Sequence, residues 1–560
     1  MKMKKVLAVF LVLCLCIATL AGCGGEQASS DSGAAKTAGD ASGDNASAGG
    51  SVKTGEIVKL TAIMTKHALT KELSQMEWLQ KAEADAGVEI EWQEVTSDWP
   101  QKKATLLASG DVPDLIIGNG SILDTEFGQF PGVFEDLSPL IDQYMPNVKS
   151  MLEAHPETMA IAKQLDGKIY GLPKYQRYWP DTITRQYINQ KWLDNLGLKM
   201  PTNWDELYDV LVAFKEKDAN GNGDLNDEIP MDFAPTGLGV GVVNFGAFIP
   251  TVMLGSLGIT TSQSEYGFFV EDGKVKNFVA DERYKTLLKF LNKCYSAGLV
   301  NKEVFTQDYT KFQATARGNG DVAAVGFTWG WDALDRFGTA LHTQYSSMGQ
   351  LKVSADANYP LSWDYAYNTL NFGANCAVMS SRCKNKEAAA GFLNILYDPV
   401  VSMQVLFGSI GPNIKDNGDG SYTILPPEDP NMDPGTWKWT SSWADNGAMN
   451  IADTLNLTLG ADMQALDEQM AALKPIMDNI DKDNDIYPSI FMKYTLEDNA
   501  TLGINNTNIM NLALSKWAQW ITNGGIDQDW DAYIEDLNKT GINQSIEIIQ
   551  NKYNEYKNSK

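Results

Sequence analysis

Val112-Pro113-Asp114-Leu115-Ile116-Ile117-Gly118-Asn119-Gly120 reads as a buried strand that ends in a tight polar loop. Its apolar centre is short and unbroken, which suits a strand covered on both faces. Ile57 to Ile63 is a first extended run. Leu73, Met76, Leu79 and Ala82 then repeat at helical spacing, and Gly87 stops that helix. Val88-Glu89-Ile90-Glu91-Trp92 alternates like a second strand, and Trp99 to Ser109 forms a second helical stretch closed by Gly110. Strand, helix, strand, helix, strand is the pattern of a parallel sheet with crossover helices. In such sheets ligands meet the loops at the carboxyl ends of the strands. Asn119 is therefore a candidate ligand contact.

Outward to the N-terminus, Lys2, Lys4 and Lys5 precede an apolar run from Val6 to Ala21, then Leu20-Ala21-Gly22-Cys23. This is a secretory signal with small residues before a cysteine, and the apolar run is shorter than the roughly 20 residues a spanning helix needs. Residues 24 to about 55 are Gly, Ser, Ala and Asp without apolar period, a composition expected of a flexible tether. About 500 residues remain, more than one ordinary core holds, which points to at least two lobes.

The formal charge is −26, and −29 once Lys2, Lys4 and Lys5 leave with the signal. Such a body is not expected to track nucleic acid or anionic membrane. Cys294, Cys376 and Cys383 remain after the signal and Cys23 are set aside. No pair has metal or redox spacing; pairing of Cys376 with Cys383 stays open, and buried small hydrophobes are the preferred reading. His67, His155 and His342 show no metal-ligand spacing.

Downstream, Asp166-Gly167-Lys168-Ile169-Tyr170-Gly171-Leu172-Pro173 turns into an extended segment. Pro201-Thr202-Asn203 starts a helix with Leu207, Val210, Leu211 and Phe214 as its apolar stripe. The C-terminal third is mostly helical, with Ile542, Ile546, Ile549 and Tyr553 in period.

Several segments occur in a fixed order: Leu20-Ala21-Gly22-Cys23, Ala108-Ser109-Gly110-Asp111-Val112-Pro113-Asp114, the 166–173 turn, Trp192-Leu193-Asp194-Asn195-Leu196-Gly197-Leu198 and Pro201-Thr202-Asn203-Trp204-Asp205-Glu206-Leu207. Together they resemble the family 1 extracellular solute-binding lipoproteins of carbohydrate ABC importers, in particular the LplA-like subgroup. The resemblance implies an α/β, two-lobe periplasmic-binding-protein-like fold (type II, maltose-binding-protein-like) with ligand in the interlobe cleft. It implies a signal peptide at 1–22, a lipidated (palmitate-bearing) Cys23 and a tether at 23–55. The first lobe would hold 56–173 and 360–415, and the more helical second lobe 174–359 and 416–560. It further implies a lipid anchor on the outer face of a bacterial membrane, permease subunits and an ATPase as partners, and a monomer.

Asp218-Ala219-Asn220-Gly221-Asn222-Gly223-Asp224-Leu225-Asn226-Asp227-Glu228 places oxygen-bearing side chains at alternate positions around glycines. That is how a short loop wraps Ca²⁺, which wants six to eight oxygens. The glutamate expected at position twelve is missing, and Ile229 sits there. By resemblance, Asp227 and Glu228 close the site, making Asp218, Asn220, Asn222, Asp224, Asp227 and Glu228 candidate ligands of a structural ion. An Asx-rich turn without an ion is the alternative. Asp416 to Gly420 reads instead as a hairpin turn.

The chain carries 15 Trp and 21 Tyr. Sugars stack C–H faces on aromatic rings and pair hydroxyls with polar side chains. Trp78, Trp192, Trp204, Trp517 and Trp520 lie on apolar helical faces and are expected in the core. Tyr175, Arg177 and Trp179, then Trp329, Trp331 and Asp332, then Trp363 and Tyr365 sit in or beside presumed loops and are candidate ligand contacts. Trp437, Trp439 and Trp443 fit a ligand contact, a lid or lobe packing equally well.

The function expected is capture of an oligosaccharide and delivery to a permease, without chemistry. A peptide or signal receptor of the same fold is the first alternative. A secreted glycoside hydrolase is the second; it needs two carboxylates at a set separation, which 71 Asp and Glu cannot single out. No Gly-x-Ser-x-Gly elbow, His-Glu-x-x-His or phosphate loop is present.

Overall fold

The computed structural model describes residues 57–237, 244–262, 266–429, 432 and 434–559. The expected signal sequence, Cys23 and the tether lie outside the described residues.

The strand-helix alternation holds. β1 (Val58–Thr65), α1 (Glu77–Ala86), β2 (Val88–Val95), α2 (Trp99–Ser109) and β3 (Leu115–Ile117) follow one another. β1 runs parallel to β2 from Val58↔Val88 to Thr65↔Val95, and parallel to β3 through Ile63↔Ile116. Gly87 and Gly110 end the two helices at φ 67° and 65°, conformations in which a Cβ is costly. β3 is covered on both faces: Leu115 and Ile117 point into a large core, Ile116 into a smaller one with Ile63, Leu107 and Phe134.

β4 (Gly171–Gln176), strand Phe372–Met379 and the short strand Asn450–Ile451 complete a six-stranded sheet. Its order is 450–451, β4, 372–379, β3, β1, β2, with 372–379 antiparallel to both neighbours. A second sheet has four strands in the order 345–348, β5 (Arg185–Asn189), 325–330, β6 (Ile229–Met231). Each sheet has its own core. Trp192, Trp204, Trp517 and Trp520 fill the second and Trp78 the first, all buried as their helical spacing predicts. The helix Leu496–Asn523 supplies Ile509, Met510, Ala513, Trp517 and Trp520 to the second core. Thr495 and Asp498 start it reciprocally: the Thr495 hydroxyl accepts from the Asp498 N–H (3.0 Å), and Asp498 accepts from the Thr495 N–H (3.1 Å).

The sheets and cores change over at points other than the expected boundaries. β4 runs on to Gln176, past residue 173. Trp363 and Tyr365 pack in the second core, so the chain returns to the first sheet at 366–372 and not at 360. Trp443, Met449, Ile451 and Leu455, expected in the second lobe, pack in the first core. The short strand 450–451 decides this, because it adds to the free edge of β4. The hairpin around Asp416–Gly420 forms as read, between Ile414–Asp416 and Ser421–Ile424. Cys294, Cys376 and Cys383 are buried free thiols, so the 376–383 pairing left open does not form.

The first two passages between the sheets, 177–184 and 364–371, are bonded together. The Gln176 amide donates to Leu370 O (2.8 Å), the Trp179 N–H to Asn371 Oδ1 (3.2 Å) and the Ala366 N–H to Asp181 O (2.6 Å). The Thr182 hydroxyl donates to Asp364 (3.2 Å).

Candidate functional site

Trp179 lies on the first of these passages, half-buried. Its indole N–H donates to Asp445 Oδ1 (3.0 Å), and the Lys438 ammonium stands 4.2 Å from its ring centroid. Trp331, just past strand 325–330 of the second sheet, meets it edge-on at 5.7 Å. One aromatic from each side of the junction thus forms a pair. A junction between two cores is where a ligand-binding concavity is expected.

Asp445 organises the polar side of the pair. Its Oδ2 accepts from Lys438 (3.0 Å), its Oδ1 also from the Gln176 amide (3.1 Å), and its backbone carbonyl from Lys174 (2.6 Å). Burial alone would raise the Asp445 carboxyl; the charges of Lys438 and Lys174 outweigh it and hold the group well below its ordinary range. Lys174 is itself pushed down by burial. The next residue, Asn446, accepts through its carbonyl the N–H of Asn119 (3.0 Å). Asn119 is exposed at the carboxyl end of β3, and a Cβ on Gly373 would fall 2.6 Å from its Oδ1. Trp439 stacks at a tilt on exposed His67, centroids 4.7 Å apart, beyond the carboxyl end of β1. Lys438 lies between the two indoles, 5.7 Å from Trp439.

Of the nine candidate ligand contacts, Asn119, Trp179 and Trp331 surround this junction. The other six are held by the protein itself. Trp329 lies inside its strand, not in the loop after it, and is fully buried against Phe327 at 4.9 Å. Trp363 is fully buried and donates to Thr184 O (2.8 Å). Tyr365 is buried, with the Lys482 ammonium 5.4 Å from its ring. Tyr175 is buried in β4, stacked on His155 at 3.7 Å and donating to Asp453 (3.1 Å). Arg177 donates to Asp453 O (2.6 Å), Leu455 O and the Tyr178 hydroxyl. Asp332 caps the helix Ala333–Leu341, accepting from the Asp335 N–H (2.8 Å). Adjacency to Gly, Asp or Pro suggested loops; strand pairing absorbs Tyr175 and Trp329, while hydrogen bonds, a helix cap and a cation contact hold Arg177, Asp332, Trp363 and Tyr365. Sequence reasoning missed Lys438 and Asp445; the Trp437–Trp443 cluster was the available signal, without a way to orient it. Trp443 itself is core, edge-on to Trp78 and Trp92.

The 218–228 loop closes on its own polar groups. Asp218 accepts the N–H groups of Gly221 (2.8 Å), Asn222 (3.0 Å) and Gly223 (2.9 Å). Asp227 receives the Asn220 and Asn222 amides at 3.0 and 2.6 Å. Glu228 Oε1 accepts from the Ala219 (2.8 Å) and Asn220 (3.3 Å) N–H groups, while its Oε2 is buried without a hydrogen-bond partner. Burial pushes the Glu228 carboxyl up. Among the described residues no three acidic, His or Cys side chains already converge at metal-binding spacing.

The sequence profile of the bacterial extracellular solute-binding proteins matches residues 68–402. The fructooligosaccharide ABC transporter substrate-binding protein FusA of Streptococcus pneumoniae is 30% identical over 500 residues, 86% of this chain and 87% of that protein. The structure of an HMO-binding, ABC-transporter-associated solute-binding protein from Bifidobacterium longum infantis superposes with a TM-score of 0.82 at 31% identity. The match covers 90% of this chain and 100% of that one. An EF-hand mutant of S. pneumoniae FusA in complex with fructo-nystose superposes with a TM-score of 0.76 at 28% identity, over 90% and 100% of the two chains.

Proposed function

This chain belongs to the bacterial extracellular solute-binding protein family, and we propose that it captures an oligosaccharide at the Trp179–Trp331 junction and delivers it unaltered to an ABC permease. The observation that carries the reading is that pair, one ring from each side, set beside the Lys438–Asp445 ion pair. Ring faces suit sugar C–H faces, and the ion pair offers donors and an acceptor to hydroxyls. Relatives named as transporter substrate-binding proteins support binding without catalysis. A ligand that touches both sides favours the closed arrangement by its differential contacts, and by no more than those. Cys23, in Leu20-Ala21-Gly22-Cys23, is the proposed lipid attachment site, with the protein working as a monomer on the outer membrane face. Titration with a panel of neutral and acidic oligosaccharides should change Trp fluorescence and shrink the radius of gyration by X-ray scattering. Chromatography should recover the sugar intact. Absence of both changes across the panel, or cleaved product, would overturn the reading.

We also propose a structural calcium ion in the 218–228 loop. The donors are all hard oxygens, as Ca²⁺ requires. The orphaned, buried Glu228 Oε2 is the feature an ion would satisfy. Asp218, Asn220, Asn222, Asp224, Asp227 and Glu228 would hold it, and the likeness to FusA, of which an EF-hand mutant exists, supports it. Calcium at a hundred times its dissociation constant should add about 2.7 kcal/mol of stability. Chelator-stripped protein should therefore melt a few degrees lower than calcium-loaded protein by calorimetry, and Asp218→Ala should melt alike with and without calcium. Equal melting of wild type in both conditions refutes the site.

A further inference from the structure

The oligosaccharide reading above places one sugar ring at the Trp179–Trp331 pair. Resting on it, we infer that Trp439 and His67 form a second saccharide subsite at the carboxyl end of β1, which takes a further ring of the same chain and makes the protein select longer oligosaccharides over short ones. The two rings stack at a tilt with centroids 4.7 Å apart; the imidazole is exposed and the indole half-buried. Neither belongs to a hydrophobic core among the described residues, whereas Trp443 of the same cluster does. The stack is continuous with the first pair through Lys438. That ammonium stands 4.2 Å from the Trp179 ring and 5.7 Å from the Trp439 ring, so the two indoles are separated by no more than those distances together. Successive rings of one saccharide span a gap of that order.

The backbone that carries both rings is braced. Lys66, its side chain largely buried, donates to the carbonyls of Thr70 and Lys71 (3.0 Å each) and pairs with Glu94. The Thr70 hydroxyl donates to Trp439 O (2.9 Å) and the Lys71 N–H to Thr440 O (3.2 Å). These bonds tie the helix Pro434–Ser441 to the loop after β1. Loops are ordinarily the mobile parts of a fold, and holding this one in place beforehand lowers the ordering cost of binding. His67 Nδ1 accepts the Leu69 N–H (3.2 Å), which puts the proton of the neutral imidazole on Nε2, where it can meet a hydroxyl. The ring faces suit sugar C–H faces, as at the first pair.

A glycan array printed with two- to five-unit series of glucans, xylans, galactans and fructans tests this, probed with the full-length protein and followed by calorimetry on the retained series. Within one series the longer members should bind at least about tenfold more tightly than the disaccharide, which the first pair alone can hold, a gain of about 1.4 kcal/mol. Trp439→Ala should abolish most of that gain yet change disaccharide affinity less than about twofold, the coupling between ligand length and variant that a direct contact requires. His67→Asn keeps an acceptor for the Leu69 N–H but removes the ring face, and should cut the gain at least about threefold. A merely structural role for Trp439 would weaken all lengths alike, and that result would overturn the inference. So would equal binding of short and long chains by the wild-type protein, or a gain that survives in either variant; each of these leaves the oligosaccharide function standing. Retention of no glycan at all would overturn the function itself, and the inference with it.

Discussion

Trp179→Ala should weaken oligosaccharide binding about a hundredfold while moving the melting temperature of the ligand-free protein by only a degree or two. The size follows from the position of the ring. Truncating a central aromatic in a desolvated site typically costs 2 kcal/mol or more, and each 1.4 kcal/mol is tenfold in affinity. The loss is compound. The alanine removes the stacking face, the edge contact to Trp331 and the surface over which Lys438 stands. It also removes one of three donors to the Asp445 carboxylate, which keeps Lys438 and the Gln176 amide. That retained pairing is why stability should barely change. Trp179→Phe restores a ring without the N–H and should recover most of the affinity. Calorimetric titration of the three proteins with the best array sugar gives the comparison. A change of less than about threefold for the alanine variant would show that Trp179 is not the platform.

Asp232→Ala should destabilise the protein by about 3–5 kcal/mol, the cost of leaving one partner of a buried ion pair alone. Asp232 and Arg336 are fully buried and meet at 3.2 Å. Asp232 follows β6 and also accepts from the amides of Asn301 (3.0 Å) and Gln307 (3.1 Å). Arg336 lies in the helix just after Trp331, donates to Phe312 O (2.6 Å) and Thr328 (3.2 Å), and packs 3.4 Å from the Phe312 ring. Burial raises the Asp232 carboxyl and lowers Arg336 to about 10, so desolvation weighs against both charges even while they attract. Removing both charges together should therefore be far milder. The Asp232→Leu/Arg336→Met double variant is expected to regain most of the stability lost by Asp232→Ala, read as the midpoint of urea unfolding. A single variant within about 1 kcal/mol of wild type would refute the account. Arg336 also bonds Thr328 in the strand 325–330 that leads to Trp331, so the destabilised single variant should bind sugar more weakly as well.

Much of the first sheet was legible because parallel crossover units carry local signals. Helical period, a stopping glycine and an unbroken apolar run each act within a dozen residues, and they located β1 to β3 and the two helices between them. Trp192, Trp204 and Trp517 were readable for the same reason: a helical stripe fixes which face is apolar. The candidate site was harder. Trp179, Trp329 and Trp363 look alike in sequence, each beside turn-forming residues. Only tertiary contacts separate them: Gln186↔Trp329 pairing seals one within a sheet, and an indole bond to Thr184 O buries another. Trp179 escapes because it follows the last paired residue of β4.

Chain length and apolar period pointed to an α/β body of at least two lobes, composition to its acidic character, and alternating oxygen-bearing residues around glycines to the oxygen-rich loop, since none of these readings needs to know which distant elements meet. Tertiary structure decided where the chain changes sheets and which aromatic meets which. It brought Lys438 and Asp445 to Trp179, more than 250 positions away along the chain. Contacts of that span arise from packing whole elements together, and no local pattern of residues encodes them.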